Sequence, residues 1–445
     1  MNELSDQSGE GVRPPSMGFW QVWSMSAGVM IGSGIFLLPA VLAPYGSISF
    51  LGWLFTTLGA ICIALTLGRL ASRTDKSGGF YIYARDAFGD LAGFLMGWSY
   101  WLSIVFATAA IAAAFAGYAG AIFPPLAGNT IAQMFVAVAL VWLITAINIR
   151  GVESAARAQL VMTLLKITPL VLIIGLGFLF GSWDNIPAFN PTGAPVIKGL
   201  AATALLTMWA FIGIEAGTVA AEDVVDAKRT IPRAITSATI CVAVLYVAST
   251  AAVMLILPVE ALAVSEAPFA DAARLIGPIG ATVIALGAMV STAGSLNGCV
   301  FIGAQTAMAT ARDGFAPKFL AKKNNGAAPA DALIVTGIIG TIILLMNYTD
   351  GLVAAFTFMI SMSTLATLAP YVLSALAEIK ADWRSARGWL IIALAALVYS
   401  IIAMAGAGIT TLLWGALLLA AGLPIFYWSK ARHKKPSAAI ADANA

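Results

Sequence analysis

Gly28-Val29-Met30-Ile31-Gly32-Ser33-Gly34-Ile35-Phe36 is the stretch on which the reading of this chain turns. It lies in the middle of an apolar run over residues 18–42, and about 20 apolar residues suffice to cross the hydrocarbon of a bilayer as a helix. Gly-Ser-Gly at the centre of such a helix removes side-chain packing and frees backbone amides. Unwound backbone at that depth is tolerated only where it is buried in protein or lines a water-filled cavity. The freed N–H groups of Ser33, Gly34 and Ile35, with the positive end of the half-helix that follows, suit a carboxylate. The same small residues also suit a close helix–helix contact, so the stretch by itself supports both readings.

The surrounding composition puts the run in a membrane. The chain has 445 residues, 60% of them apolar and only 10% charged, with a mean hydropathy of +0.92. Soluble domains carry about 25% charged residues, so this chain could not cover a water-facing surface. Twelve candidate spans follow from the apolar runs: 18–42, 48–71, 90–122, 129–149, 156–181, 198–221, 231–257, 276–311, 329–348, 351–378, 388–407 and 409–428. Residues 1–17 contain Glu3, Asp6 and Glu10 against Arg13 alone, unlike a basic and apolar signal peptide, so the first span is expected to stay in the protein. Of the 24 Lys and Arg, 21 fall on the side of the termini, among them Arg69, Arg73, Arg85, Arg150, Arg312 and Lys380. Only Lys198 and Arg274 lie opposite. That asymmetry predicts cytoplasmic termini, and its spread over short loops reads as topology rather than as a nucleic-acid or anionic-lipid patch.

Several chemistries are excluded by counting. The single histidine, His433, sits in a basic tail, which leaves no ring for a metal centre or a nucleophile arrangement. Cys62, Cys241 and Cys299 each fall alone in an apolar stretch and read as packing residues. No cofactor or metal is expected.

A second interruption is Trp209-Ala210-Phe211-Ile212-Gly213-Ile214-Glu215 in the sixth span. Glu215 is read as the only carboxylate deep in a span, expensive there unless it faces a cavity or finds a partner. A break at Gly213 would turn Trp209 and Glu215 to one cavity; the alternative is a protonated Glu215 tying two helices together. The two interruptions open corresponding sets of five spans, and an odd number inverts the second set relative to the first. Paired breaks of this kind point to a midplane binding site in a secondary transporter. Lys166, in the fifth span, lies about 12 Å deep at 1.5 Å per residue. It either snorkels to the interface or is a buried amine that exchanges a proton as the cavity opens and closes.

Five motifs carry a family resemblance: Gly32-Ser33-Gly34-Ile35-Phe36-Leu37-Leu38-Pro39-Ala40; Gly78-Gly79-Phe80-Tyr81-Ile82-Tyr83-Ala84-Arg85; Trp209 to Glu215 with Ala220-Ala221-Glu222-Asp223; Ala267-Pro268-Phe269 with Asp271-Ala272-Ala273-Arg274; and Gly303-Ala304-Gln305-Thr306 leading to Arg312-Asp313-Gly314. From about Gly18 to Trp428 the chain resembles the amino acid–polyamine–organocation superfamily, and within it the basic amino acid/polyamine antiporter group, including the bacterial arginine/agmatine antiporter. The resemblance implies an all-α integral membrane fold of 12 helices, an inverted five-plus-five repeat of the leucine-transporter type with helices 1 and 6 broken. It implies alternating access around a site between spans 1, 3, 6, 8 and 10, lined in part by Gly32, Ser103 and Ile212. Ser33 and Gly34 would hold a substrate carboxylate, Trp209 would pack on the substrate side chain, Tyr100 and Tyr81 match gate tyrosines, and Glu215 matches the acid linked to pH sensing and gating. The arginine-transporting pattern is departed from at Val29 and Thr108, where it has asparagines, and at Cys299, where it has a tryptophan. Those losses point to a less polar substrate. Lys166 looks like the span-5 lysine of proton-coupled members, which occupies the place of sodium in related carriers.

The reading is therefore a secondary amino acid transporter of the inner membrane, an amino acid/amine antiporter or a proton-coupled permease, without enzymatic activity. Its organisation is a tail at 1–17, a single transporter domain at 18–428 (repeats at about 18–181 and 198–378, the last two helices at 388–428) and a tail at 429–445. Its partners would be a small amino acid or amine, the lipid bilayer and a possible second copy of itself, with no nucleic acid. The alternative is a non-transporting sensor or scaffold on the same fold.

Overall fold

The computed structural model describes residues 17–73, 79–150, 156–219, 224–324, 328–347, 351–382 and 387–433. Glu222 and Asp223, most of both tails, and the loop cations Lys76, Arg384, Lys434 and Lys435 lie outside the described residues.

The apolar run over 18–42 forms two helices, α1 (Phe19–Met30) and α2 (Ser33–Leu42), separated by Ile31 and Gly32 and bent by 42°. Then come α3 (Ile48–Ala71), the short α4 (Phe80–Phe88), the 33-residue α5 (Asp90–Ile122), α6 (Thr130–Ile149) and α7 (Ala156–Phe180). The run over 198–221 is divided: α8 (Val196–Met208) passes into a 3-10 turn at Trp209–Phe211, an irregular turn, and α9 (Ala216–Val219). Beyond it lie α10 (Ala227–Ile256), two short helices α11 (Val259–Ala263) and α12 (Pro268–Ala273), and α13 (Pro278–Arg312). The chain ends through α14 (Ala330–Asn347), α15 (Leu352–Asp382), α16 (Arg387–Ala405), α17 (Gly408–Ala420) and α18 (Gly422–His433).

Eight of the described helices are long and apolar enough to cross a bilayer, and the bent pair of α1 and α2 adds a ninth; Lys166–Phe180, Val196–Phe211 and Ala330–Met346 are shorter apolar helices. The chain is a multi-pass helical membrane protein. At its centre is α5, with 94% of its most apolar window buried, whereas Gly408–Arg432 is 11% buried and lies at the periphery. Ala109, Ala110, Ala112, Ala113, Ala114 and Ala116 of α5 are fully buried. Small side chains let helix axes approach closely where no hydrophobic effect drives them together, and α13 and α15 pack along α5 on this surface.

The two ends of α5 differ in chemistry. At the near face, where α5 starts, Arg85 of α4 binds Asp90 at 3.1 Å and Asp313 at 2.9 Å, and Arg69 of α3 and Arg73 just beyond it bind Glu378 of α15 at 3.0 and 3.1 Å. At the far face, Tyr118 of α5 and Phe269 of α12 close on Phe36 of α2, with ring centroids 5.8 and 5.2 Å from it. The Tyr118 hydroxyl donates to the Phe36 carbonyl at 2.8 Å and accepts from the Phe269 amide at 3.3 Å.

One expectation is corrected by α15. It continues past residue 378 to Asp382, which puts Glu378 on the helix with 1% exposure. Among the described helices Glu215 is therefore one of three buried carboxylates, with Glu378 and Asp382, and Arg69 and Arg73 are ion-pair partners of the latter two as well as topology signals.

Candidate substrate site

A helix that stops inside a protein leaves its last carbonyls without backbone partners. Side chains supply them at the end of α1. Lys166 of α7 donates to the Gly28 carbonyl at 2.9 Å, Tyr246 of α10 to the Met30 carbonyl at 2.6 Å, and Ser295 of α13 to the Ile31 carbonyl at 3.4 Å. The Lys166 ammonium also lies 3.2 Å from the Ser295 hydroxyl and is 4% exposed, so it does not snorkel. A cation at a helix C-terminus meets the negative end of the helix dipole, and that accounts for burying the amine here.

Three glycines permit the break. A Cβ on Gly32 would run into the Ser295 side chain, one on Gly34 would stand 3.0 Å from Cδ1 of Trp209, and one on Gly213 would stand 2.6 Å from Cγ1 of Val29. Gly213 also has φ of +116°, which L side chains rarely adopt. The two interruptions therefore touch each other directly. Ser26 of α1 reinforces the contact by donating to the Ile214 carbonyl at 3.4 Å.

Around them is a cavity of about 40 Å³. Val29, Gly32 and Gly34 form one wall; Trp209, Ile212 and Glu215 form a second. α5 contributes Tyr100, Ser103, Ala107 and Ile111, a single helical face by spacing, and α13 contributes Ser295, Cys299 and Ile302 by the same rule. Glu215 is held from three elements: it accepts from the Tyr100 hydroxyl at 2.7 Å, the Tyr371 hydroxyl of α15 at 2.8 Å and the Gly213 amide at 3.1 Å. The Trp209 indole N–H is buried without a hydrogen-bond partner among the described residues.

A larger cavity of about 430 Å³ adjoins the first, sharing Tyr100, Glu215 and Ile302 and running to Arg312 and Asp313 at the near face. Phe80 packs edge-on against Tyr100 and Tyr371 at 5.1 and 5.3 Å, so these rings and Glu215 form the partition between the cavities. Tyr81 lines the larger cavity and donates to Asp313; burial, aided by that carboxylate, pushes its phenol well above the ordinary value.

Of the residues singled out in the sequence, Val29, Gly32, Gly34, Tyr100, Ser103, Trp209, Ile212, Glu215 and Cys299 meet at the central cavity. Lys166 stands behind Ser295, and Tyr81 belongs to the larger cavity. The Ile35 side chain is fully buried in the core away from the cavity lining, and the Ser33 side chain lies outside the described ones. Thr108 is one residue off the cavity face of α5; its hydroxyl returns to the Ile104 carbonyl at 2.9 Å and its methyl meets Gly340 of α14. Sequence reasoning passed over Ser295, Tyr371, Ile104, Ala107, Ile111 and Ile302. Helical spacing from Tyr100 and Cys299 points to most of them, and Tyr371 is signalled only by the need of Glu215 for donors.

A bundle with interrupted helices meeting at a buried, partly polar cavity belongs to the membrane transporters. The sequence profile of the amino acid permease family matches residues 17–428, and the chain belongs to that family. It is 28% identical over 422 residues to the putrescine transporter PotE of Escherichia coli K12, covering 92% of this chain and 95% of that one. It is 30% identical over 412 residues to the Haemophilus influenzae putrescine transporter PotE (89% and 93%) and 30% identical over 436 residues to the arginine/ornithine antiporter of Pseudomonas aeruginosa (92% and 90%). The protein is thus a secondary transporter and not an enzyme.

Proposed function

We propose that the protein moves a small amino acid or amine across the inner membrane by alternating access, as an exchanger or a proton-coupled permease. The observation that carries this reading is the meeting of the two interrupted segments at one cavity, with Gly34 against Trp209 and Gly213 against Val29. The eight long helices, the bent pair and the three shorter apolar helices together would make 12 spans, with both termini cytoplasmic, a single domain over about 18–428 and an inverted repeat of 18–181 on 198–378. In this scheme spans 1 and 6 are the broken pair, and α17 and α18 are free for a homodimer contact.

The amides at the start of α2 bind the substrate carboxylate, Trp209 covers the substrate, and Tyr100, Glu215 and Tyr371 separate it from the near-face cavity. Lys166 carries the coupled proton. Its position at the end of α1 supports this, because losing or gaining charge there changes how strongly α7 holds the interrupted segment.

The test is flux in proteoliposomes. Purified protein should exchange labelled amino acids or amines against an internal pool, and a Trp209→Leu variant should lose most of that exchange. Ligand binding without flux would favour the sensor or scaffold reading instead.

A further inference from the structure

We infer that the central site is built for a small amino acid with an uncharged side chain and selects against diamines and cationic side chains. The inference rests on the transport reading above and adds the substrate class.

The donors are concentrated at one end of the cavity. Gly34 supplies its amide at the first turn of α2, where N–H groups have no partner within the helix. Beside it, the Trp209 indole N–H is buried and unpartnered, with Nε1 only 3.1 Å from where a Cβ on Gly34 would stand. Two adjacent donors call for an acceptor, which a carboxylate provides and an ammonium does not. A diamine has nothing to place there.

The opposite walls are apolar. Ile104, Ala107 and Ile111 of α5 and Ile302 of α13 surround the space a side chain would enter, and Ser103, Ser295 and Cys299 are the small polar exceptions. A cationic side chain needs a carboxylate with free lone pairs. Glu215 already accepts from Tyr100, Tyr371 and the Gly213 amide, which uses three of about four acceptor positions. The one buried amine nearby repels a second cation: Lys166 sits 3.2 Å from Ser295, itself on the cavity wall. Size agrees with charge. A volume of about 40 Å³ holds roughly three water molecules, so the room beyond the backbone of an amino acid is short.

Wild-type protein in proteoliposomes preloaded with L-alanine, L-serine, L-ornithine and putrescine decides the matter by competition. Counterflow of labelled L-alanine should be blocked by serine and at least tenfold less well by ornithine or putrescine. Equal or stronger competition by ornithine or putrescine overturns the inference while leaving the transport reading standing. If none of the four moves, the transport reading fails, and melting temperature in detergent then decides the site: a rise with alanine and not with ornithine supports it, and any other pattern overturns it. As a second check, Ile104→Ala, which deepens the apolar wall, should improve competition by L-leucine at least tenfold relative to L-alanine.

Discussion

At the scale of single residues, the glycines of the two interruptions do different work, and substitution should separate them. Gly213→Ala combines a positive φ with a Cβ 2.6 Å from Val29, so roughly 2–4 kcal/mol of stability should be lost and appear as a lower melting temperature. Gly34→Ala places a Cβ 3.0 Å from Trp209. The helix accepts it, but the indole must shift, so transport should fall at least tenfold with little change in melting. Equal destabilisation by both variants would argue against this division. These positions were legible in the sequence because glycine in an apolar helix needs a reason. Thr108 was not, because one residue along a helix turns a side chain by about 100°, and only the packing of α5 on α14 fixes which face meets the cavity.

At the scale of elements, the polar contacts join helices far apart in sequence, and such pairings are invisible to a reading that moves along the chain. The partners of Glu215 come from α5 and α15, and those of the α1 terminus from α7, α10 and α13. Lys166 tests the second set. Lys166→Gln keeps an N–H donor for the Gly28 carbonyl but has no proton to exchange, so it should retain counterflow and lose the dependence of uptake on a pH gradient. Proton-driven uptake surviving in Lys166→Gln would remove the coupling role. The cluster joining α3 to α15 gives a separate prediction. Glu378→Gln leaves Arg69 and Arg73, 27% and 30% exposed, with Asp382 as their acid. The loss should be roughly 1–3 kcal/mol, less than for a fully buried pair because the arginines still reach solvent. A double variant with Arg73→Gln should lose less than the sum of the two single changes.

At the scale of the whole molecule, the long apolar helices follow directly from hydropathy, whereas α4, α11 and α12 were absorbed into loops because each is too short to show a periodic pattern. These short helices carry the closures at the two faces. The larger cavity reaches Arg312 and the central one does not reach the far face past Phe36, Tyr118 and Phe269. A Met308→Cys variant without its native cysteines should therefore react with an impermeant thiol reagent from the cytoplasmic side only; labelling from outside alone would reverse the assigned orientation. The closures also differ in what holds them. About 42 Å apart along α5, at 1.5 Å per residue from Asp90 to Tyr118, one is made of ion pairs around Arg85 with a third or more of each side chain exposed, and the other of packed rings. Mobile ions screen exposed charges over about 8 Å at physiological strength and do nothing to stacked rings. Rising salt should thus loosen the near-side closure and leave the far side unaltered, shifting the resting carrier toward the state open to the near face as the cytoplasm concentrates under osmotic stress.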